Sequence, residues 1–293
     1  MQLEELGGRA RLDLGRYLRR GIPEVVLAAG KAAHDAARLA VALAERQGQG
    51  LISRMTDAHD MVLRAAAEAA GMDVAVYHAS ARVLRPGFVP EATDGKVAIL
   101  TAGTSDLPAA DEARMVIEAC GVEARLEADL GVAGLHRFLG PLAAALEWGA
   151  DVIIVAAGMD GVLPGLVAGL IDLPVIGLPV SIGYGHGAAG EGALTTMLQS
   201  CSTGLTVVNI DNGVGAGAAA VLIAARAGQG RRRGTTTATM ATTTAATSSK
   251  PNSAAARPRE TSGPPGSAKT SPKRSIAART PTSSHGKPRR RRP

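Results

Sequence analysis

Five short loops in the middle of the sequence, Gly131-Val132-Ala133-Gly134 among them, hold the residues best able to do chemistry. Thr101-Ala-Gly-Thr-Ser-Asp106 brings a hydroxyl, Ser105, and a carboxylate, Asp106, beside Gly103 and Thr104. Ser105 or Asp106 can cap a following helix, and free N–H groups in such a turn would receive a phosphate, a ring carboxylate or CO2. Gly158-Met159-Asp160-Gly161 sets an acid between glycines that let a ligand approach the backbone. Asp160 is there as a turn residue, or as a base or metal ligand. Ser181-Ile-Gly183-Tyr184-Gly185-His186 offers two potential donors, of which the histidine reads more simply as a surface residue. Asn209, Asp211 and Asn212 stand together at the end of an apolar run. Polar groups so placed can hold a ribose or close an ordinary Asn-Gly turn.

The two cysteines differ in setting. Cys120, in Glu118-Ala-Cys-Gly121, reads as a small buried residue at a helix end. Cys201 is flanked by Ser200, Ser202 and Thr203, a polar setting that would be wasted on a core position. The end of a helix raises a thiol's pKa, so a nucleophilic Cys201 needs a cationic partner such as a bound pyridinium. Two cysteines are too few for a disulfide framework or a zinc site.

The elements that position these loops can be read from the apolar runs. Val97–Leu100, Val122–Leu126, Val152–Ala156, Val175–Leu178 and Leu205–Asn209 look like buried strands. Segments of helical spacing follow them, at Pro108–Cys120, Leu139–Trp148, Leu163–Ile171, Gly192–Ser200 and Gly215–Arg226. Near-continuous apolar strands alternating with helices predict an α/β fold, a doubly wound parallel sheet with sites at the carboxyl ends of its strands. Residues 1–93 read as a smaller helical or mixed N-terminal domain, with helical spacing at Glu24–Arg46 and Asp57–Gly71. The parallel domain spans 94–228. Residues 229–293, rich in Thr, Ser, Pro, Ala and Arg, lack the apolar residues needed to offset ordering entropy and read as a disordered basic tail.

Composition narrows the function classes. Hydrophobic residues make up 46% of the 293, enough for a substantial core, while aromatics make up 2%, which argues against base-stacking platforms. The net charge of +6 hides an asymmetry. From Arg231 onward there are 15 Lys and Arg against one acid, Glu260, which leaves 17 basic and 25 acidic residues in Met1–Gly230. The body is acidic, so a polyanion could bind only the tail, and without sequence specificity. No apolar leader or span is visible, which predicts a cytoplasmic protein with no membrane association.

Taken in order, the motifs resemble the LarB family, whose C-terminal half is similar to the purine-synthesis carboxylase PurE. They are Arg19-Arg-Gly-Ile-Pro-Glu-Val-Val26 with Gly30-Lys31, Ala102-Gly-Thr-Ser-Asp106, Asp129-Leu-Gly-Val-Ala-Gly-Leu-His136-Arg137, Ala157-Gly-Met-Asp-Gly-Val-Leu-Pro-Gly165, Gly183-Tyr-Gly185, Ser200-Cys201 and Val208-Asn-Ile-Asp-Asn-Gly213. The resemblance covers roughly Leu12–Arg226 and leaves out the tail. It implies carboxylation of nicotinic acid adenine dinucleotide by CO2 or bicarbonate, with hydrolysis to pyridinium-3,5-biscarboxylic acid mononucleotide and AMP. In that family the product leads to the nickel pincer of lactate racemase. Cys201 matches the family's nucleophile, and Ser105 and Asp106 match a Ser–Asp pair that would hold CO2 or a ring carboxylate. The resemblance also implies Mg2+ without naming its ligands, and a homo-oligomer, octameric as in PurE. Asp160 stands where the family has Glu, one methylene shorter. His136 and Arg137 resemble a phosphate-binding pair. Two alternatives share much of this pattern: a PurE-type aminoimidazole ribonucleotide carboxylase or mutase, and a non-enzymatic nucleotide-binding protein.

Overall fold

Two larger sheets, one from each part of the chain, and a two-stranded pair make up the fold of the computed structural model, which describes residues 3–6 and 10–247. The N-terminal part runs β1 (Leu3–Leu6), β2 (Ala10–Asp13), α1 (Arg16–Arg20), β3 (Val25–Leu27), α2 (Ala33–Gln47), β4 (Gln49–Ser53), α3 (Asp57–Ala69), β5 (Asp73–Tyr77) and β6 (Ser80–Leu84). Strands β1 and β2 form an antiparallel pair. The others make a four-stranded sheet in the order β3-β4-β6-β5, parallel only between β3 and β4.

The segment Glu24–Arg46, of helical spacing in the sequence, is helical only in its later part. Val25-Val26-Leu27 is a strand registered on Leu51–Ser53, and the helix begins only at Ala33. The β-branched pair favours pairing with β4, and Gly30, at φ +77°, turns the chain before α2. Helix α2 then buries an alanine-rich face, with Ala36, Ala40 and Leu43 fully or almost fully covered. Asp57–Ala69 is helical as its spacing predicts.

The second part runs β7 (Lys96–Thr101), α4 (Leu107–Ala119), β8 (Glu123–Glu127), α5 (His136–Trp148), β9 (Val152–Ala157), α6 (Leu163–Ala168), β10 (Val175–Pro179), α7 (Glu191–Leu198), β11 (Leu205–Val207) and α8 (Gly213–Thr247). Its strands form a five-stranded sheet in the order β11-β10-β9-β7-β8, with every pair parallel. All residues of β9 and β10 are buried, as expected of strands covered on both faces. Alternation along the strands divides the core in two. Val97, Ile99, Val152, Ile154 and Ile176 face α4 and α8, while Ala98, Leu100, Ile153, Val155 and Val175 face α5, α6 and α7. This is the doubly wound α/β sheet expected from the sequence.

Helix α4 is buried on nearly every side because N-terminal residues Leu51 and Tyr77 join the core on its outer face. That face carries the buried acids Asp111 and Glu112. Asp111 pairs with His78 Nδ1 and lies 2.8 Å from Arg114 Nε, and Tyr77 Oη donates to Glu118 at 2.5 Å. The described residues up to Ala246 form one compact unit.

Some boundaries differ from expectation. Strand β11 stops at Val207, leaving Asn209 in a turn, and α6 stops at Ala168. At the C-terminus α8 runs to Thr247, past residue 229 where the basic tail is expected to begin. Its packed first half supplies the costly nucleus, and propagation through Ala-, Arg- and Thr-containing sequence then adds one bond per residue. The rest of the basic tail, 248–293, lies outside the described residues. Among the described residues no helix is long and apolar enough to cross a membrane.

Candidate active site

From β7 the chain crosses to β8 on one side, and it returns to place β9 on the other. Such a switch point opens a crevice at the carboxyl ends of the two strands. A cleft of about 750 Å³ occupies it, walled by the loops that follow β7, β8, β9 and β10. Four of the five loops singled out in the sequence therefore meet there.

Asp106 ties the cleft together. It is 3% exposed, and its Oδ2 accepts from Gly103 N at 2.8 Å while Oδ1 accepts from Gly158 N at 3.1 Å. Burial pushes its pKa above the ordinary carboxylate value, and the N–H donors of Gly103 and Gly158 oppose that rise. Thr101 Oγ1 donates to Gly103 O at 2.9 Å and fixes the same turn. Ser105 and Thr104 are exposed beyond it, with the Ser105 hydroxyl on the cleft wall.

Two glycines of the second loop are needed for their size. A Cβ on Gly158 would lie 2.4 Å from Ile182 O, and one on Gly161, at φ +83°, would lie 2.6 Å from Ala193 O. These close approaches carry Met159 and Asp160, joined by a cis peptide, to the exposed tip of the loop. Asp160 and Ser105 both line the cleft. Gly183 packs on Met159, Gly185 adopts φ +75°, and Tyr184 on the rim is 74% exposed. His186 is exposed, as its simpler reading holds.

The other candidates are placed as follows. Gly131, Val132 and Ala133 line the cleft, and exposed His136 and Arg137 open α5 behind them. Arg137 is partly committed, 3.1 Å from Asp129 and 3.5 Å from Gly131 O. Asn209, Asp211 and Asn212 order their own neighbourhood. Asn209 Oδ1 accepts from Ile210 N, Asp211 Oδ1 accepts from Ser181 N at 2.9 Å, and Asn212 Oδ1 accepts from Gly215 N. Asp211 therefore holds the β10 loop in position for the cleft.

Cys201 is not among the residues lining the cleft. It is exposed and lies just before β11, whose first residue, Leu205, is registered on Val175, the first residue of β10. The cleft opens beyond the other end of β10, about 13 Å of strand away. Ser202, next to Cys201, donates to Gly165 O at 2.7 Å, which fixes this segment against α6. Cys120 is buried and its thiol is pushed up to about 12 by burial, an unreactive packing residue.

A second, smaller cleft of about 350 Å³ adjoins the first, and Ser105 and Ile182 border both. Its far wall includes Arg54, Ala79 and Ser80. Nothing in the sequence marks them, because they flank strands that the apolar pattern does not reveal. Among the described residues no three His, Cys, Asp or Glu side chains are grouped to hold a metal, so these residues do not form a magnesium cage.

A five-stranded parallel sheet with a glycine-walled cleft at its switch point defines a flavodoxin-like α/β protein. Residues 96–246 match the AIR carboxylase family model, and the chain belongs to that family. Residues 3–86 match the LarB/PurE-like N-terminal domain. The chain is 40% identical over 227 residues to an uncharacterized protein of Methanocaldococcus jannaschii, covering 75% of this chain and 86% of the relative. It is 29% identical over 133 residues to the N5-carboxyaminoimidazole ribonucleotide mutase of Thermotoga maritima, covering 45% of this chain and 70% of that enzyme. Against the mutase of the same name from Mycobacterium tuberculosis it is 31% identical over 145 residues, covering 48% and 78%.

Proposed function

We propose that the protein carboxylates the pyridinium ring of nicotinic acid adenine dinucleotide and releases AMP, the reaction of the LarB type. The observation that carries this is the union, in one chain, of the switch-point cleft with a segment matching the LarB/PurE-like N-terminal domain. Family membership by itself supports a carboxylase or mutase. The pyridinium substrate is the finer step.

The chemistry asks for a nucleophile, a base and a site for CO2. A thiolate adds to C6 of the ring, and the electron pair reaching nitrogen makes a dienamine. C5 of that dienamine attacks CO2. A base takes the C5 proton, the C5–H pair forms the C5–C6 double bond, and the thiolate leaves with its own pair. Water then cleaves the phosphoanhydride to give the mononucleotide and AMP. We assign the base to Asp160, the acid open to the cleft, and the CO2 or ring-carboxylate site to Ser105 with the Gly103 turn held by Asp106. Magnesium would travel on the diphosphate of the substrate.

Cys201, exposed and outside its own cleft, would serve the cleft of a neighbouring copy, which makes a homo-oligomer, octameric by resemblance, part of the mechanism. Complementation tests this. Mixed oligomers of Cys201→Ala and Asp160→Asn subunits should regain AMP release from the dinucleotide, although each variant alone is inactive. No recovery in verified mixed oligomers would place the thiol elsewhere. The second reading, favoured by the mutase relatives, is carboxyl transfer on an aminoimidazole ribonucleotide. Turnover of N5-carboxyaminoimidazole ribonucleotide, with no AMP from the dinucleotide, would select it.

A further inference from the structure

We infer that the second cleft is the compartment for the nucleoside half of the substrate and that the N-terminal part of the chain makes the enzyme selective for a dinucleotide over a mononucleotide. This rests on the proposed function and deepens it. The two clefts share Ser105 and Ile182, so a ligand too long for one continues into the other across that partition. The smaller compartment, about 350 Å³, has two walls of different origin. Residues matched by the AIR carboxylase model supply one wall, with Pro108, Glu112 and Asp211. Residues matched by the N-terminal model supply the other, with Arg54, Ala79 and Ser80.

The chemistry of these walls fits a purine nucleoside. Arg54 sits at φ +55°, a left-handed conformation that a non-glycine residue rarely adopts, and it lines the cleft. Its Nη2 donates to Asp211 O at 2.7 Å, and its Nε lies 3.8 Å from Glu112 Oε1. The guanidinium is thereby held in place while its side chain stays 46% exposed, a fixed planar cation on which a base can stack. Glu112 and Asp211 bring two carboxylates beside that cation. Carboxylates accept hydrogen bonds from ribose hydroxyls and repel phosphates. The phosphates therefore stay at the partition, and the nucleoside enters.

Calorimetric titration without bicarbonate or magnesium tests the assignment, with nicotinic acid adenine dinucleotide and nicotinic acid mononucleotide as probes. Wild type should bind the dinucleotide at least tenfold more tightly. Ala79→Phe, at an exposed position that fills the compartment without disturbing the core, should bring the ratio close to one, and Arg54→Ala should reduce it several-fold. A wild-type preference that survives unchanged in both variants would overturn the second compartment and leave the proposed function standing. Wild type that binds neither probe would overturn the proposed function, and the compartment with it.

Discussion

The carboxylate of Asp106 accepts a hydrogen bond from the backbone N–H of Gly158 at 3.1 Å, joining the loop after β7 to the loop after β9 across the switch point. Its other oxygen holds Gly103, so one buried side chain sets the width of the cleft. An amide at this position can accept only one of these two bonds. Hydrogen bonds to charged groups contribute about 1.5–3 kcal/mol. Asp106→Asn should therefore lower kcat/KM at least tenfold with little change in secondary structure, as steady-state kinetics and circular dichroism would show. Full activity would remove Asp106 from the site's framework.

Gly158 has no room for a side chain, because Ile182 O stands 2.4 Å from where a Cβ would be. Overpacking of this kind typically costs about 1–3 kcal/mol. Gly158→Ala should lower the urea midpoint accordingly and weaken ligand binding as the loops separate. Gly103, whose added Cβ would meet nothing nearer than 3.6 Å, is the control and should lose much less stability as Gly103→Ala.

The two thiols should react very differently. Cys120 is buried with its pKa pushed up to about 12, whereas Cys201 is exposed. Iodoacetamide at mildly alkaline pH should label native protein once, at Cys201, and unfolded protein twice, as read by peptide mass. The dinucleotide should slow labelling of Cys201. Equal labelling of both cysteines in native protein would contradict the burial of Cys120.

Burial raises the pKa of Glu112 against the opposing pull of Val214 N–H and Arg54. With its folded pKa above its unfolded one, the folded state holds the proton more tightly. The stability this gives is full below the unfolded pKa and is lost as pH rises through the folded value. Wild type should thus lose stability as pH climbs from the ordinary carboxylate range toward neutrality, and Glu112→Gln should flatten that fall. Parallel pH profiles of the thermal midpoint would show that Glu112 does not titrate in this way.

The five-stranded sheet was legible because its central strands are uninterrupted apolar runs, and burial on both faces leaves no polar alternation to obscure them. The N-terminal sheet was not. Gln49–Ser53 and Ser80–Leu84 carry Gln49, Ser53, Ser80 and Arg82 as buried polar residues, so their sequences do not look like strands. Gln49 is satisfied by Ala119 O and Arg82 by Gln49, partners that only the folded chain supplies. Arg54 was missed for the same reason, since its place at the cleft follows from the end of β4. The Ser–Asp and Gly-Met-Asp-Gly loops both border the cleft, but the sequence could not tell that Asp106 would be buried and Asp160 exposed. Cys201 shows the opposite limit. Its local setting suggests a reactive thiol, yet it is exposed and does not line the cleft.

The most direct measurement is the fate of carbon-labelled bicarbonate incubated with the protein, nicotinic acid adenine dinucleotide and magnesium. The expected result is one labelled carboxyl group on the pyridinium mononucleotide, AMP released in equal amount, and no labelled product from Cys201→Ala. Label incorporated equally well by Cys201→Ala, or no ring carboxylation by wild type alongside turnover of N5-carboxyaminoimidazole ribonucleotide, would contradict it.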